Sequence, residues 1–172
     1  MHRTGGLATA GVLLVAAGLL TGCTSEPAEP VPQAQPPAPP AACLLDGAEL
    51  AATTGVTWIP DQSMATDTRC VYDPAGNPGP AGFLAVDVTS STDDAASELD
   101  TIAQLCESGS RADVKAADGG FVCRFDGDGV YAALVQGGRV VTVASSAVPP
   151  GTTTARLAVA FTQQLTAIGR TS

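Results

Sequence analysis

The chain has 172 residues, of which 8 are Lys or Arg and 17 are Asp or Glu, and its net charge at neutral pH is −9. A chain this acidic is repelled by nucleic acid and by anionic lipid headgroups, so neither is expected to bind it. The length suits one domain of ordinary size once an N-terminal segment is set aside.

Residues 5–20 form an apolar run after a short basic start, and they lead into Leu-Thr-Gly-Cys23. A basic start, an apolar segment too short to span a bilayer and small residues at its end are typical of a secretory signal peptide, here 1–22. Leu-Thr-Gly-Cys resembles the lipobox of bacterial lipoproteins, whose cysteine is acylated before cleavage. The resemblance implies that Cys23 carries lipid such as palmitate, which holds the protein to the membrane at the extracytoplasmic face of the cell membrane. The alternative is an ordinary cleaved signal with a chance cysteine.

The segment 23–42 consists largely of Pro, Ala, Glu and Gln. Nothing in it can bury a core, and repeated proline favours the extended left-handed helix. At about 3.1 Å per residue, the stretch 25–42 within it reaches on the order of 50 Å. We expect a disordered spacer here, followed by one folded domain, 43–172.

Four further cysteines remain in that domain: Cys43, Cys70, Cys106 and Cys123. An even number of cysteines in an exported domain indicates two disulfides, and four cysteines allow three pairings. A four-thiolate metal site is the competing interpretation, but the sequence has none of the C-x-x-C knuckles typical of such sites. No metal or other cofactor is expected.

The single histidine, His2, lies in the signal peptide, and the single lysine is Lys115. Without histidine the mature domain lacks the usual general base and the nucleophile systems that depend on it. Lys115 has no S-x-x-K motif before it. We therefore expect a protein that is not an enzyme. The alternative is an extracytoplasmic hydrolase or transferase that uses carboxylates, for which Asp61, Asp67 and Asp73 are the candidate residues.

The folded part begins with a short helix, since Asp46 and Glu49 have the spacing of a capping box and Gly55 can end it. Strands are predicted over 56–59, 69–73 and 83–89, the last from alternating apolar residues.

A second helix is predicted over 93–107, with Ser91 and Asp94 as its capping box. Its apolar residues recur at helical spacing and form one stripe: Ala95, Leu99, Ile102 and Cys106. A short strand is possible at Val114.

A three-stranded meander follows, with the two-residue loops Gly127-Asp128 and Gly137-Gly138. Such loops set the register. Apolar residues of all three strands then share a core face: Phe121, Cys123, Phe125, Val130, Ala132, Leu134, Val141 and Val143. A last helix over 152–168 buries Leu157, Phe161, Leu165 and Ile168. Strands in runs between helices predict an α+β fold, an antiparallel sheet with helices packed mainly on one face.

The disulfide pairing follows from this arrangement. Cys106 lies on the apolar stripe of the second helix, and Cys123 lies on the core face of the meander. The stripe and this face must pack on each other to bury their apolar residues, which brings the two sulfurs into one layer. Cys43 and Cys70 belong to the first half of the domain. We predict Cys43–Cys70 and Cys106–Cys123.

The opposite face of the meander is more apolar than a solvent-exposed sheet face requires. The predicted register places Val122, Ala133, Thr142 and Ala144 there, together with the candidate ligand-binding residues Arg124, Tyr131, Val135 and Val140. Either a helix or loop covers this face, or it binds an apolar ligand.

Asp126-Gly-Asp128 has the start of a calcium loop, but the twelfth position is Gly137 rather than Glu, which favours a hairpin turn.

The run Cys43-Leu-Leu-Asp46, the helix to Gly55 and the later Cys70-Val-Tyr72 resemble small secreted lipoproteins of actinobacteria whose shared domain is of unknown function. The resemblance implies an α+β envelope protein with no established catalytic residues. We expect a membrane-anchored, non-catalytic binding or accessory module for an apolar envelope ligand or a partner protein.

Overall fold

A computed structural model describes residues 41–76, 82–91, 94–116 and 118–170, all within one compact unit. The helices are α1 (Gly47–Thr54), α2 (Ala95–Ile102) and α3 (Thr154–Ile168), and a 3₁₀ turn, Ala103–Leu105, extends α2. The strands are β1 (Trp58–Pro60), β2 (Arg69–Pro74), β3 (Leu84–Ser90), β4 (Ala112–Val114), β5 (Gly119–Phe125), β6 (Gly129–Gln136) and β7 (Arg139–Ser145).

The strands form one antiparallel sheet of seven in the order β1-β2-β3-β7-β6-β5-β4. The long β3 and β7 pair over their whole lengths and join the two halves of the domain. The α+β class predicted from the sequence is confirmed, as is the short strand at Val114. None of the helices in the described residues is both long enough and apolar enough to span a bilayer.

Helix α1 begins and ends where its sequence dictates. The Asp46 carboxylate accepts hydrogen bonds from the amides of Ala48 and Glu49, which would otherwise lack partners, and Gly55 adopts the left-handed conformation that ends the helix. Gln164 of α3, only 2% exposed, accepts a hydrogen bond from the Asp46 amide at 2.8 Å. The start of α1 is thereby fixed to α3.

The sheet has a core on each face. Helices α1 and α3 cover the larger core, which contains buried residues from every strand: Trp58, Cys70, Tyr72, Leu84, Val86, Val114, Val122, Val130, Ala132, Leu134, Val141 and Val143. Helix α2 packs on the other face, where Leu99 meets a smaller cluster: Phe121, Cys123, Ala133, Val135 and Val140. Two helices on one face and a short one on the other agree with the predicted arrangement.

The first hairpin of the meander differs from the prediction. Its loop has three residues, 126–128, and Phe125 pairs with Gly129, because Asp126 adopts a left-handed conformation (φ 48°) instead of continuing β5. Asp is one of the few residues other than Gly that tolerate this conformation. The predicted register of β5 on β6 is therefore wrong by one residue. Phe121 and Cys123 lie on the face opposite Ala132 and Leu134. The second hairpin, with Gly137-Gly138, has the predicted register.

Helix α2 is also shorter than predicted. Asp94 caps it, because its carboxylate accepts from the amides of Ala96 and Ser97, and Ser91 is not the cap. The helix passes into the 3₁₀ turn after Ile102, and Cys106 is extended rather than helical. The predicted start at Asp93 lies outside the described residues.

Both predicted disulfides are present, Cys43–Cys70 and Cys106–Cys123, which makes this a cysteine-stapled domain. The first belongs to the core under α1 and α3, and the second to the core under α2. The reason given for the second pair is only partly correct. Leu99 of α2 and Cys123 do share one core, but Cys106 follows the 3₁₀ turn instead of lying on the helical stripe, and the shared core is on the opposite face of the sheet from Leu134.

Candidate functional site

The structure does not bring the four predicted ligand-binding residues together. Tyr131, Val135 and Val140 lie on the face that carries α2, whereas the corrected register puts Arg124 on the face that carries α3. The grouping failed because a shift of one residue moves every side chain of a strand to the other face.

Val135 and Val140 are 3% and 2% exposed, because they pack in the core that Leu99 of α2 completes. Of the two explanations for an apolar outer face, the helical cover therefore applies to these residues.

Tyr131 lies at the margin of that core and is half-buried. Its ring is 5.8 Å from the Phe125 ring, centroid to centroid. Burial raises the pKa of Tyr131; a hydrogen bond with the Thr142 side chain opposes the shift, and the Asp87 carboxylate adds to it.

A largely apolar concavity lies on the other side of the sheet, between α3 and the strands β4 and β5. We call it the α3–β5 groove. Its volume is about 430 Å³, within the range of small-molecule sites. Its lining combines small and apolar residues with a few polar ones: Ser110, Ala112, Val122, Cys123, Arg124, Ala158, Val159, Thr162 and Gln163.

The groove exists because α3 packs on the sheet off-centre. The buried stripe of α3 points at the core through Leu157, Phe161 and Leu165. The neighbouring Ala158 and Val159 fall beside this stripe, towards the edge of the sheet. Ala158 and Ala112 are small and leave room beside α3, where Val159 remains 51% exposed although Val122 at the base of the groove is buried.

One ionised side chain lines the groove among the described residues, that of Arg124. Arg124 follows Val122 on the same face of β5 because side chains alternate along a strand. Its guanidinium Nη2 is 3.4 Å from Oε2 of Glu107, and the Arg124 side chain is 59% exposed. The other carboxylate oxygen of Glu107 accepts from the Gly127 amide at 3.0 Å. The hairpin loop thus holds Glu107 in place, and its ion pair with Arg124 is long and partly exposed to solvent.

The backbone beside Arg124 is fixed from the loop that precedes β4. The Arg124 amide donates to the Ser110 hydroxyl at 3.1 Å, and the Glu107 amide donates to the Arg124 carbonyl at 2.9 Å. These bonds occupy the edge of β5 that β4 does not reach. The guanidinium therefore projects from a rigid backbone.

The candidate carboxylates lie in and around the edge strands on the far side of the sheet. Asp61 accepts from the hydroxyl and the amide of Ser63, and these bonds lower its pKa. Asp67 is exposed and accepts from the Ala41 amide at 3.5 Å, and Asp73 is an exposed residue of β2. Asp126 and Asp128 belong to the hairpin turn. No cluster of three or more His, Cys, Asp or Glu residues suited to a metal ion occurs in the described part of the chain.

Sequence reasoning found Arg124 but missed the α3 side of the groove, Ala158, Val159, Thr162 and Gln163. One signal was available. Val159 is a large apolar residue two positions after Leu157, outside the predicted stripe of the last helix, and an apolar residue on a polar helix face indicates a contact or a site.

Comparisons with protein-family models, with curated proteins and with solved structures gave no match to this chain.

Proposed function

We propose that this protein is a non-catalytic binding module of the cell envelope, tethered by lipid on Cys23, that takes an apolar ligand into the α3–β5 groove. The observation that carries the proposal is the groove itself: an open concavity with Ala112, Val122 and Val159 in its lining. Apolar surface that stays exposed to solvent does not stabilise the fold, and apolar grooves of this kind are typical of ligand-binding sites. The resemblance to small secreted actinobacterial lipoproteins supports the same location and class.

The binding role is tested with 1-dodecanol, a neutral single-chain ligand, titrated into the purified protein by calorimetry. Val159→Gln puts a polar side chain into the groove without adding charge, and Gln favours helix more than Val does. We expect this variant to bind dodecanol at least about tenfold more weakly, because the lost apolar contact lowers the binding free energy by about 1.4 kcal/mol.

Leu105→Gln is the matched control, because Leu105 is also 51% exposed and apolar but lies outside the groove. It should bind as the unaltered protein does. No dodecanol binding by the unaltered protein, or equal binding by the Val159 variant, would refute the binding role.

The tether is tested separately in cells. Cys23→Ala should leave an uncleaved or soluble product without lipid, because the acylated thiol is gone. The variant is compared with the unaltered chain by detergent-phase partitioning and electrophoretic mobility. Unchanged partitioning and mobility would contradict lipidation at Cys23.

A further inference from the structure

We infer that the ligand of the α3–β5 groove is a single-chain amphiphile with an anionic head, such as a fatty acid, and that Arg124 binds the head. This inference rests on the proposed binding function and adds the chemical class of the ligand. It is carried by the position of one cation at an apolar groove in an otherwise acidic protein.

The charge distribution is the first argument. The chain carries 17 acidic residues against 8 basic ones, so an anion is repelled from most of its surface. The described lining of the groove, in contrast, contains one charged residue, Arg124, and no carboxylate. An anion that reaches the groove meets a guanidinium with five donors in a planar fork, which suits a carboxylate.

The second argument is that the partner of Arg124 leaves the guanidinium available. Glu107 Oε2 is 3.4 Å from Nη2, beyond the usual length of a charge-assisted hydrogen bond. Glu107 is also bound to the Gly127 amide through Oε1. The Arg124 side chain is 59% exposed, and its remaining N–H groups can donate hydrogen bonds to a second carboxylate without displacing the first.

The third argument is the adjacency of the apolar and cationic parts. Val122 is 4% exposed under the groove, and Arg124 is the next side chain on the same face of β5. A ligand chain that packs beside Val159, with Val122 at the base of the groove, can place its head at the guanidinium. A neutral apolar ligand would contact the apolar residues of the groove but would make no ion pair with Arg124.

The test compares laurate with 1-dodecanol, which have the same chain length and differ in the head. At a pH where laurate is ionised, the unaltered protein should bind laurate about fivefold more tightly than dodecanol, the factor that about 1 kcal/mol from a half-exposed ion pair gives. Arg124→Gln should remove this preference, so that the variant binds laurate no more tightly than it binds dodecanol.

Glu107→Gln is the second variant and acts in the opposite direction. Its amide oxygen keeps the acceptor for the Gly127 amide but removes the competing charge, so laurate binding should strengthen about threefold and dodecanol binding should not change. Arg139→Gln is the matched control. Arg139 is exposed in the β6–β7 hairpin, so this substitution removes the same positive charge at a position outside the groove.

The outcomes separate the two proposals. Equal binding of laurate and dodecanol, or a preference that survives Arg124→Gln or is lost equally in Arg139→Gln, overturns the anionic head and leaves the apolar groove standing. Binding of neither ligand overturns the proposed function itself. Circular dichroism shows whether each variant is folded. If Arg124→Gln does not fold, the effect of Glu107→Gln on laurate binding serves as the test of the anionic head.

Discussion

Tyr72 shows how one buried hydroxyl fixes the start of the domain. It is 2% exposed, and its hydroxyl accepts a hydrogen bond from the Leu45 amide at 3.1 Å. Leu45 immediately precedes the cap of α1, so this bond connects the beginning of the helix to β2. A buried amide without a partner costs more than the bond itself contributes.

We therefore expect Tyr72→Phe to lower the free energy of unfolding by about 1–2 kcal/mol, measured by urea denaturation. Tyr131→Phe is the control, because the hydroxyl of half-buried Tyr131 bonds the half-buried side chain of Thr142 and water can replace it. Its loss should be clearly smaller. Equal decreases in the free energy of unfolding of the two variants would show that the hydrogen bond to the Leu45 amide stabilises the fold no more than the one between Tyr131 and Thr142 does.

The two tyrosines of the chain also predict how stability depends on alkaline pH. Burial raises the pKa of both Tyr72 and Tyr131, against a smaller opposing hydrogen bond in each. A raised pKa in the folded state means that the unfolded chain loses its tyrosine protons first. The contribution is fully present below about pH 10, the ordinary value, and is lost as the pH rises through the folded-state values.

Ultraviolet absorbance of tyrosinate should therefore titrate later in the folded protein than in the urea-unfolded chain, and the urea midpoint should fall above about pH 10. Coincident titration curves of the folded and unfolded protein would contradict this.

At the scale of elements, α2 decides whether one face of the meander is surface or core. The helix is short, and Leu99 is its buried residue. It nevertheless completes a cluster that contains Val135 and Val140. The Cys106–Cys123 bond attaches the segment that follows α2 to β5 beneath it.

Val135→Asp should consequently destabilise the domain by about 4 kcal/mol or more, because it buries a charge with no partner. Leu105→Asp, on the 3₁₀ turn that extends α2 and 51% exposed, should change stability by no more than about 0.5 kcal/mol. Urea unfolding of both variants is the measurement. A Val135 variant as stable as the Leu105 variant would mean that α2 does not cover this face in solution.

The two hairpins show what the sequence can and cannot determine. Gly137 and Gly138 both have positive φ, 55° and 75°, and a pair of glycines between two strands leaves one plausible loop. In the first hairpin either Asp126 continues the strand or it turns, and the residue type permits both. The chosen conformation of one aspartate then decides the face of Arg124. The ends of α1, by contrast, followed from the local capping residues Asp46 and Gly55.

The groove was beyond sequence reasoning for a different reason. Its two sides, α3 and β5, are joined only through tertiary packing, and no spacing along the chain states that Val159 lies beside Val122. The pairing of the cysteines was accessible because each half of the domain closes its own loop.

For the whole molecule, the disulfides act as two separate constraints. They close loops of 27 and 17 residues, and they lie in cores on opposite faces of the sheet. Restriction of the unfolded chain gives about 3–4 kcal/mol for each in the chain-entropy model.

Replacing Cys43 and Cys70 with Ala should therefore lower stability by about 3–4 kcal/mol, and replacing Cys106 and Cys123 should do nearly the same. The fourfold variant should lose the sum to within about 0.5 kcal/mol, since distant sites add. Urea unfolding of the three variants measures this, with non-reducing peptide mapping as the check on pairing. A fourfold loss far from the sum would show that the two cores are coupled.

The first disulfide has a mechanical consequence. Cys43 precedes α1 in the chain, and its sulfur is bonded to Cys70 of β2, a strand held by hydrogen bonds to β1 on one side and β3 on the other. A pull on the N-terminal segment therefore passes into the sheet through a covalent bond before it reaches α1. The helix is shielded from tension, and the strand that receives the force cannot leave without shearing two ladders at once.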